Sequence, residues 1–383
     1  MPLSPGLRDW RGHWELFLKM LQNLEIQRRL RGWNQIGLWP GYGHAVSALA
    51  DRVWFNGGRG TGSEPPASPD QGGSGLPFYH ESVLLNEVID YLQPGPGKTF
   101  LDVTLGGGGH SEALLRADAE VVALDQDPVA IAYATSRLRA HAGRFVALRG
   151  NFRDFPELLG EIGVPKFDGI LADIGVSSKQ LDDATKGFSF MHEGPLDLRM
   201  DPDAPVTAED LVNSMTEEEL IRMFIDYGEE PNARRIARAI VKARVAKAIR
   251  TTTELAHIIE IASPRTGKRH PATLCFQALR IAVNDELAAL EDFLKAAPHW
   301  LKPGGRVAVI SFHSLEDRLV KRSFQHHATP FIDRPEWPQS RPNPDCCLRV
   351  LTRKTVEASA EEIQRNPRSR SARMRVAERL PTP

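Results

Sequence analysis

The fold is decided by the stretch TFLDVTLGGGGHSEALLRADAEVVALD, residues 99–125. It starts with an apolar strand pattern, passes through four consecutive glycines, and enters a helical pattern at Ser111. A second apolar strand pattern follows and ends at Asp125. A strand, a glycine-rich turn, a helix and another strand in this order predict two parallel strands joined by a right-handed crossover, which is the repeating unit of an open α/β sheet.

The alternation of strands and helices continues after this stretch and then stops. Further strand patterns lie at 144–148 and 167–172, and a helical pattern begins at Pro128. From 182 to 284 the pattern is helical, with three helix starts of capping-box form. A buried-strand pattern returns at 306–312. We therefore predict an α/β domain interrupted by a helical insertion, with the first part at 77–182, the helical substrate-recognition domain at 183–283, and the second part, which ends in a basic segment, at 284–383.

Residues 1–76 differ in composition from the rest of the chain. They contain five of the seven tryptophans and end in a Gly/Ser/Pro-rich run that is typical of a flexible linker. We expect a low-order N-terminal extension and linker. A mitochondrial presequence is the alternative, but acidic residues and clustered tryptophans do not suit it.

Composition sets the class of protein and its compartment. The 48 basic and 49 acidic side chains give a net charge of −1, and 41% of the residues are hydrophobic, so collagen-like, disordered and polybasic classes are excluded. Three cysteines without metal-ligand spacing fit a reducing cytoplasm and predict neither a disulfide framework nor a metal site. No apolar run is long enough to cross a bilayer, so we expect no membrane partner.

Two features of the sequence fall at predicted strand ends, where an open parallel sheet binds its ligands. The glycine loop at 106–110 lets the backbone approach a ligand, although a tight turn without a ligand is an equal alternative. Asp125 ends a strand, where a carboxylate can accept the hydroxyls of a ribose; capping of the next helix is its alternative role. The loop lacks the third glycine of a dinucleotide fingerprint, which favours S-adenosylmethionine over a nicotinamide cofactor, because S-adenosylmethionine has no pyrophosphate.

A third feature is the segment DIGVSSKQLD at 173–182. It brings a carboxylate, two hydroxyls and an amide to the end of the fourth strand, and Phe188 and Phe190 follow in a polar context. Aromatic rings beside a cofactor site can stack on a base that has been taken out of its helix, and core packing is the equal alternative.

Basic residues are concentrated in two places despite the near-neutral total. Seven Lys or Arg residues and no acid lie within 231–250, and six arginines with one acid lie within 363–379. Such clusters can hold phosphates, while a solvated helix face is the alternative for the first cluster. We predict RNA contacts at Arg234, Arg235 and Arg238.

At this point several ordered motifs coincide with those of a known family. HESVLL at 80–85, DVTLGGGGH at 102–110, DIGVSSKQLD at 173–182 and NPRSRS at 366–371 resemble the bacterial MraW/RsmH family of ribosomal small-subunit RNA cytosine-N4 methyltransferases. The likeness covers nearly everything from residue 77 onward and leaves 1–76 outside it.

This resemblance implies a class I S-adenosylmethionine-dependent methyltransferase fold, a Rossmann-like α/β fold with an inserted all-helical domain. It implies a cytidine N4 amine near the decoding site of small-subunit ribosomal RNA as substrate, within an assembling 30S-type particle in the cytoplasm, and it leaves a homodimer open. Where the family often has an arginine, this chain has Gly107, which drops a charge beside the loop. The family's cofactor contacts correspond to Gly108, Gly109, His110, Asp125, Phe152, Asp173 and Gln180.

The chemistry of an exocyclic amine predicts a simple mechanism. Methylation at C5 of cytosine would need a cysteine nucleophile, and none of the three cysteines lies in a strand-end motif. An amine needs mainly to be positioned in line with the methyl group. We predict that Asp173 is the catalytic residue, which accepts a hydrogen bond from the amine and stabilises the developing charge. A methyltransferase for another nucleic acid or a small molecule, and a catalytically silent binding protein, are the alternatives.

Overall fold

The computed structural model of the chain describes residues 53–54, 81–161, 164, 166–177, 180–181, 183–265, 267 and 270–381. The expectations for the N-terminal extension therefore lie outside the described residues, except at 53–54. The chain divides into two compact units. The sheet unit comprises Met1–Ile174, Phe293–Phe312 and Val320–Pro383, and the helical unit comprises Gly175–Asp292 and His313–Leu319.

A mixed β-sheet forms the centre of the sheet unit. The described strands are, in chain order, β1 (Val53–Trp54), β2 (Thr99–Asp102), β3 (Glu120–Asp125), β4 (Phe145–Arg149), β5 (Phe167–Asp173), β6 (Leu301–Ser311), β7 (Phe331–Ile332), β8 (Arg341–Pro342), β9 (Leu348–Val350), β10 (Val356–Glu357) and β11 (Arg373–Arg379). The sheet has the order β1–β4–β3–β2–β5–β6–β11–β10, with β9 also paired to β11, while β7 and β8 form a separate ribbon.

The order of the strands reverses at β2, which lies between β3 and β5. Strands β4, β3, β2, β5 and β6 are parallel neighbours, and β11 runs antiparallel to β6. A reversal of this kind opens a crevice at the carboxyl ends of the central strands, where ligands bind. The parallel core has the strand order of a Rossmann-like fold, so the predicted fold class is confirmed.

Most residues of the central strands are buried, because helices cover the sheet on its faces. All four residues of β2 are buried. Gly169 of β5 is needed for this packing, since a Cβ atom there would lie 2.5 Å from the ring of Phe100. The helices that come before the helical unit are α1 (Leu85–Leu92), α2 (Gly109–Arg116), α3 (Pro128–Arg137) and α4 (Phe155–Glu161).

The helical unit confirms the inserted all-helical part of the fold. Its helices include α5 (Ala208–Ser214), α6 (Glu217–Asp226), α7 (Ala233–Ala246), α8 (Thr252–Ala262) and α9 (Ala272–Asn284). The three predicted capping boxes are confirmed, because the threonines at 207, 216 and 251 each exchange hydrogen bonds with the acid three residues later. The helices bury their own apolar core, to which Leu220, Phe224 and Ile236 contribute. The domain bounds 183–283 stay a prediction.

Two further helices each cross a boundary between the units, and a third lies in the sheet unit. They are α10 (Glu286–Ala296), α11 (Ser314–Ala328) and α12 (Ala360–Arg365). None of the described helices is long and apolar enough to span a bilayer.

Candidate active site

The glycine loop is a tight turn packed against α3. Gly106 and Gly108 have positive φ angles, 49° and 76°, which favour glycine. The Gly108 N–H donates to the Leu105 carbonyl at 2.8 Å. A Cβ atom on Gly108 would lie 3.1 Å from the Cβ of Ala134 in α3, so the loop and the helix approach closely only because this residue is glycine. The loop therefore presents backbone, and no bulky side chains, at the end of β2.

Asp125 at the end of β3 is built into this loop. Its Oδ2 accepts the Gly106 N–H at 2.8 Å, and its Oδ1 accepts the Asp127 N–H at 2.9 Å. Burial raises the pKa of Asp125 to about 6, against the opposing effect of these two donors. Each carboxylate oxygen has more than one acceptor position, so the group can accept a further pair of hydroxyl donors. The helix cap that the sequence left as an alternative is supplied instead by Asp127, whose carboxylate accepts the Val129 N–H.

The ends of β2 and β5 are tied together by polar side chains. Asp102 is buried and accepts hydrogen bonds from the Ser111 hydroxyl at 2.7 Å and the Thr104 N–H at 3.2 Å. Burial raises the pKa of Asp102. The Thr104 hydroxyl accepts the backbone N–H of Asp173 at 2.7 Å. Asp173 therefore has a backbone fixed by the loop that carries the glycines.

His110 and Asp173 face each other beside the loop. The His110 ring is buried, and its Nε2 lies 2.9 Å from the Val83 carbonyl. Since a carbonyl oxygen can only accept, Nε2 carries the proton. The other ring nitrogen, Nδ1, lies 3.8 Å from Oδ2 of Asp173, whose side chain is 24% exposed. The structure thus brings together the glycine loop, His110 and Asp173.

The segment that orients His110 is held by the C-terminal part of the chain. The Leu84 N–H donates to the Glu362 carboxylate at 2.8 Å, and the Asn366 amide donates to the Glu81 carbonyl at 3.1 Å. Arg365, one of the arginines in the predicted basic segment, lies 3.3 Å from the Glu81 carboxylate. Part of this basic segment therefore supports the site.

Phe152 lies in a 3₁₀ turn directly after β4. Its ring is half-buried and meets Phe293 edge-on, with 6.0 Å between the ring centroids. The preceding residue, Asn151, donates from its amide to Gln126, the residue after Asp125, at 3.3 Å. The turn is thereby joined to the Asp125 segment, and the cofactor role of Phe152 stays a prediction.

The other predicted cofactor residue, Gln180, belongs to the helical unit and is buried. Its side-chain oxygen accepts the Ser177 N–H at 2.9 Å, and the Ser177 hydroxyl accepts the Gln180 N–H at 3.2 Å. This reciprocal pair fixes the turn. Ser178, Lys179 and Asp182 of the same motif lie outside the described residues.

The two predicted base-stacking residues have different surroundings. Phe188 is 7% exposed, which favours the core-packing role that the sequence left open. Phe190 is half-buried, with His270 and Phe276 at centroid distances of 4.8 and 4.9 Å. Base stacking stays a prediction, and Phe190 is the residue of the two with an exposed part.

Helix α7 presents the predicted RNA-contacting arginines. Arg234, Arg235 and Arg238 are all exposed, and Arg238 lies 3.6 Å from Glu217 of α6. Arg244 has a different role, because it donates to the carbonyls of Val212 and Met215. The stretch 231–250 thus contains no acidic residue, but an acidic residue of α6 lies next to it in the structure.

Most of the chain is similar to proteins of a known family. The model of the MraW methylase family matches residues 77–380. The chain belongs to this family. It is 50% identical over 308 residues to "Ribosomal RNA small subunit methyltransferase H" of Carboxydothermus hydrogenoformans, covering 80% of this chain and 99% of the relative. It is 51% identical over 306 residues to the protein of the same name from Anaeromyxobacter sp. strain K, covering 79% and 98%.

Among solved structures, an rRNA methylase from Streptococcus thermophilus aligns with this MraW-family chain at a TM-score of 0.36 and 9% identity. The alignment covers 77% of this chain and 95% of that one. With so low a TM-score, the fold is assigned from the strand order β4–β3–β2–β5–β6 alone.

Several site residues of the MraW-family chain were missed by sequence reasoning. Thr104 and Ser111 flank the glycines, and a polar residue next to a strand-end loop is a usable signal for them. Val83 acts through its backbone carbonyl, for which the sequence offers no signal. Burial raises the pKa of Cys275 well above its usual value, so this thiol is not an activated nucleophile. Among the described residues, no three His, Cys, Asp or Glu side chains lie close enough to hold a metal ion.

Proposed function

We propose that this chain transfers a methyl group from S-adenosylmethionine to the N4 amine of a cytidine near the decoding site of small-subunit ribosomal RNA. Membership of the MraW methylase family supports methyl transfer, and the names of the relatives support small-subunit ribosomal RNA as substrate. One observation carries the choice of an amine: the Asp173 carboxylate is partly exposed at the end of β5, with its Oδ2 3.8 Å from Nδ1 of the loop residue His110.

The residues of the sheet unit fit the proposed cofactor. The Asp125 carboxylate has its pKa raised by burial and retains acceptor positions, which suits the two hydroxyls of a ribose. A Cβ atom on Gly106 would meet only the Thr104 carbonyl at 4.0 Å, so the loop has room on this side. Phe152 is proposed to cover an adenine, and Gly108, Gly109 and His110 complete the proposed contacts of this unit, while the cofactor contact of Gln180 stays a prediction from the sequence. When bound, S-adenosylmethionine supplies an electrophilic methyl group on a sulfonium.

Asp173 has the main chemical role in this proposal. Its carboxylate accepts a hydrogen bond from the exocyclic amine, which holds the nitrogen lone pair in line with the methyl group. Transfer would form the nitrogen–carbon bond and break the carbon–sulfur bond, with S-adenosylhomocysteine as the leaving group; the nitrogen would gain positive charge, which the nearby Asp173 carboxylate would stabilise. The hydrogen bond from His110 Nε2 to the Val83 carbonyl fixes the imidazole ring beside the Asp173 carboxylate. The amine then loses its proton readily to solvent.

RNA binding is assigned to the exposed face of α7. Arg234 and Arg235 can contact phosphates directly, and Arg238 can do so in competition with its ion pair to Glu217; such contacts position the RNA without reading its sequence. Phe190 is the proposed stacking residue for a base. We place this activity in the cytoplasm, on an assembling small-subunit particle.

The test is a tritiated-methyl transfer assay on immature small subunits, followed by digestion and mapping of the labelled nucleoside. We expect label in N4-methylcytidine of the small-subunit RNA. Label at another nucleotide or at C5 would overturn the proposed specificity. Label in a small molecule, with none in RNA, would overturn the proposed substrate class.

A further inference from the structure

The cofactor loop is held on its outer side by a guanidinium from α3. Arg137, the last residue of that helix, donates from Nη1 to the Gly107 carbonyl at 3.0 Å. Its Nε and Nη2 both donate to Oε2 of Glu112 in α2, at 2.9 and 2.5 Å. The Arg137 side chain is 29% exposed and that of Glu112 is 19% exposed, so this network is partly shielded from water.

This arrangement uses a property that only arginine has. The guanidinium is planar and directs its donors in fixed directions, whereas a lysine ammonium is a point charge on a flexible stem. With two nitrogens fixed on Glu112, the direction of the third is set, and it points to one peptide of the loop. The clamp therefore fixes the orientation of the carbonyl at residue 107 as well as its position.

The loop needs such a clamp because it consists of glycine. Four consecutive glycines have far more backbone freedom than other residues, and ordering them costs conformational entropy. Asp125 holds the N–H of Gly106, and Arg137 holds the carbonyl of Gly107. Two successive residues of the loop are thus each held by a side chain before any ligand arrives.

We infer that Arg137 is a positioning residue for the cofactor, which preorganises the glycine loop through the Gly107 carbonyl without touching the ligand. This inference rests on the proposed function, since it assumes that the loop binds S-adenosylmethionine. Loss of the clamp lets the loop sample other conformations, and the bound conformation then has to be ordered at the expense of affinity.

Arg116 offers a matched control. It lies in α2 and contacts the same acid, with Nη2 2.5 Å from Oε1 of Glu112, but its side chain is 72% exposed and donates to Glu112, not to the loop. Arg137→Lys and Arg116→Lys each keep the positive charge but replace the planar guanidinium with an ammonium group. Arg137→Gln and Arg116→Gln remove the charge.

The experiment measures S-adenosylmethionine binding by calorimetry and steady-state kinetics for these four variants. For both Arg137 variants we expect the dissociation constant and the KM for S-adenosylmethionine to rise about tenfold, as for loss of one charge-assisted hydrogen bond. We expect kcat and the KM for RNA to stay unchanged, and the Arg116 variants to match the wild type. An unchanged cofactor KM in the Arg137 variants, or an equal rise in the Arg116 variants, would overturn the inference.

Hydrogen exchange separates this inference from the proposed function. In the ligand-free protein, we expect faster amide exchange at residues 106–109 in Arg137→Lys than in Arg116→Lys. Equal exchange would overturn the clamp even if the cofactor KM changed. A wild-type protein that fails to bind S-adenosylmethionine, with the exchange difference intact, would refute the proposed function and leave the clamp standing as a property of the loop.

Discussion

Cofactor affinity should depend on pH through Asp125. Burial raises the pKa of this carboxyl to about 6, so it is ionised at pH 7.5 and largely protonated at pH 5. A protonated carboxyl presents a donor where the ionised form accepts, so it cannot accept both ribose hydroxyls. One pH unit below the pKa, about a tenth of the molecules are ionised, and the apparent dissociation constant should rise about tenfold.

The assay is calorimetric titration with S-adenosylmethionine at intervals between pH 5 and pH 8. The control is Asp125→Asn, which has no titrating group at this position. We expect the variant to bind more weakly than the wild type at pH 7.5 and to show no tenfold change around pH 6. A flat wild-type profile would refute the reasoning, and so would a variant that keeps the wild-type pH dependence, since a group other than Asp125 would then be responsible.

The stability of the ligand-free protein should also depend on the protonation of Asp125. Whereas cofactor affinity should rise with pH, the contribution of Asp125 to stability should fall. The pKa of Asp125 is higher in the folded state than the ordinary value of 3.8, so the folded state binds more protons between about pH 4 and pH 6. Its contribution to the free energy of unfolding therefore falls as the pH rises through this window. The difference between wild type and Asp125→Asn isolates this contribution from that of other carboxyls, and a difference of the opposite sign would contradict the raised pKa.

Three further predictions concern chemistry and RNA binding. Asp173→Asn should lower kcat at saturating S-adenosylmethionine by about a hundredfold, as for loss of one transition-state contact; full activity in single-turnover assays would exclude the proposed role. Arg235→Ala should reduce the slope of log K against log salt for RNA binding by about 0.7 and spare cofactor binding, whereas Lys247→Ala should leave the slope unchanged because that lysine pairs with an acid at 2.6 Å. Phe190→Leu should raise the KM for RNA, whereas Phe188→Leu should lower the melting temperature with little effect on RNA binding once folded; the reverse pattern would exchange their roles.

The sheet and the position of the site could be predicted because their signals are local. Continuous apolar runs mark strands that are buried on both faces, and each run ends at a residue such as Asp125 or Asp173. The capping boxes were predicted for the same reason, since the two partners lie three residues apart. Strand ends then fall at one edge of a parallel sheet, so the candidate residues meet without any knowledge of the tertiary contacts.

Contacts between distant segments could not be predicted from the sequence. The bond from Arg137 to Gly107 depends on how α3 packs beside the loop, and the partner is a backbone carbonyl, which no residue type reveals. The bond from His110 to Val83 is of the same kind. Composition also gave a wrong indication in one place. Arg244 belongs to the acid-free stretch that suggested phosphate binding, but its guanidinium donates hydrogen bonds to the carbonyls at the end of α5.

The face of α7 carries fewer available charges than the stretch 231–250 suggests, and this limits how tightly it can hold RNA. Four of its seven basic residues have partners: Arg238, Arg244, Lys247 and Arg250. Among the described residues, no ion pair involves the other three: Arg234, Arg235 and Lys242. Three phosphate contacts correspond to a salt slope of about −2 on single-stranded RNA, which is a weak electrostatic hold.

Such a surface needs further contacts to bind with high affinity, and an assembling particle can supply them from folded RNA. We therefore expect kcat/KM for methyl transfer to be higher on immature small subunits than on a naked fragment of the same RNA. The difference should lie in the KM for RNA, because the chemistry proposed for Asp173 is the same for both substrates. Equal kcat/KM values would show that contacts local to the target nucleotide are sufficient, and the three charges of α7 would then be an adequate RNA surface.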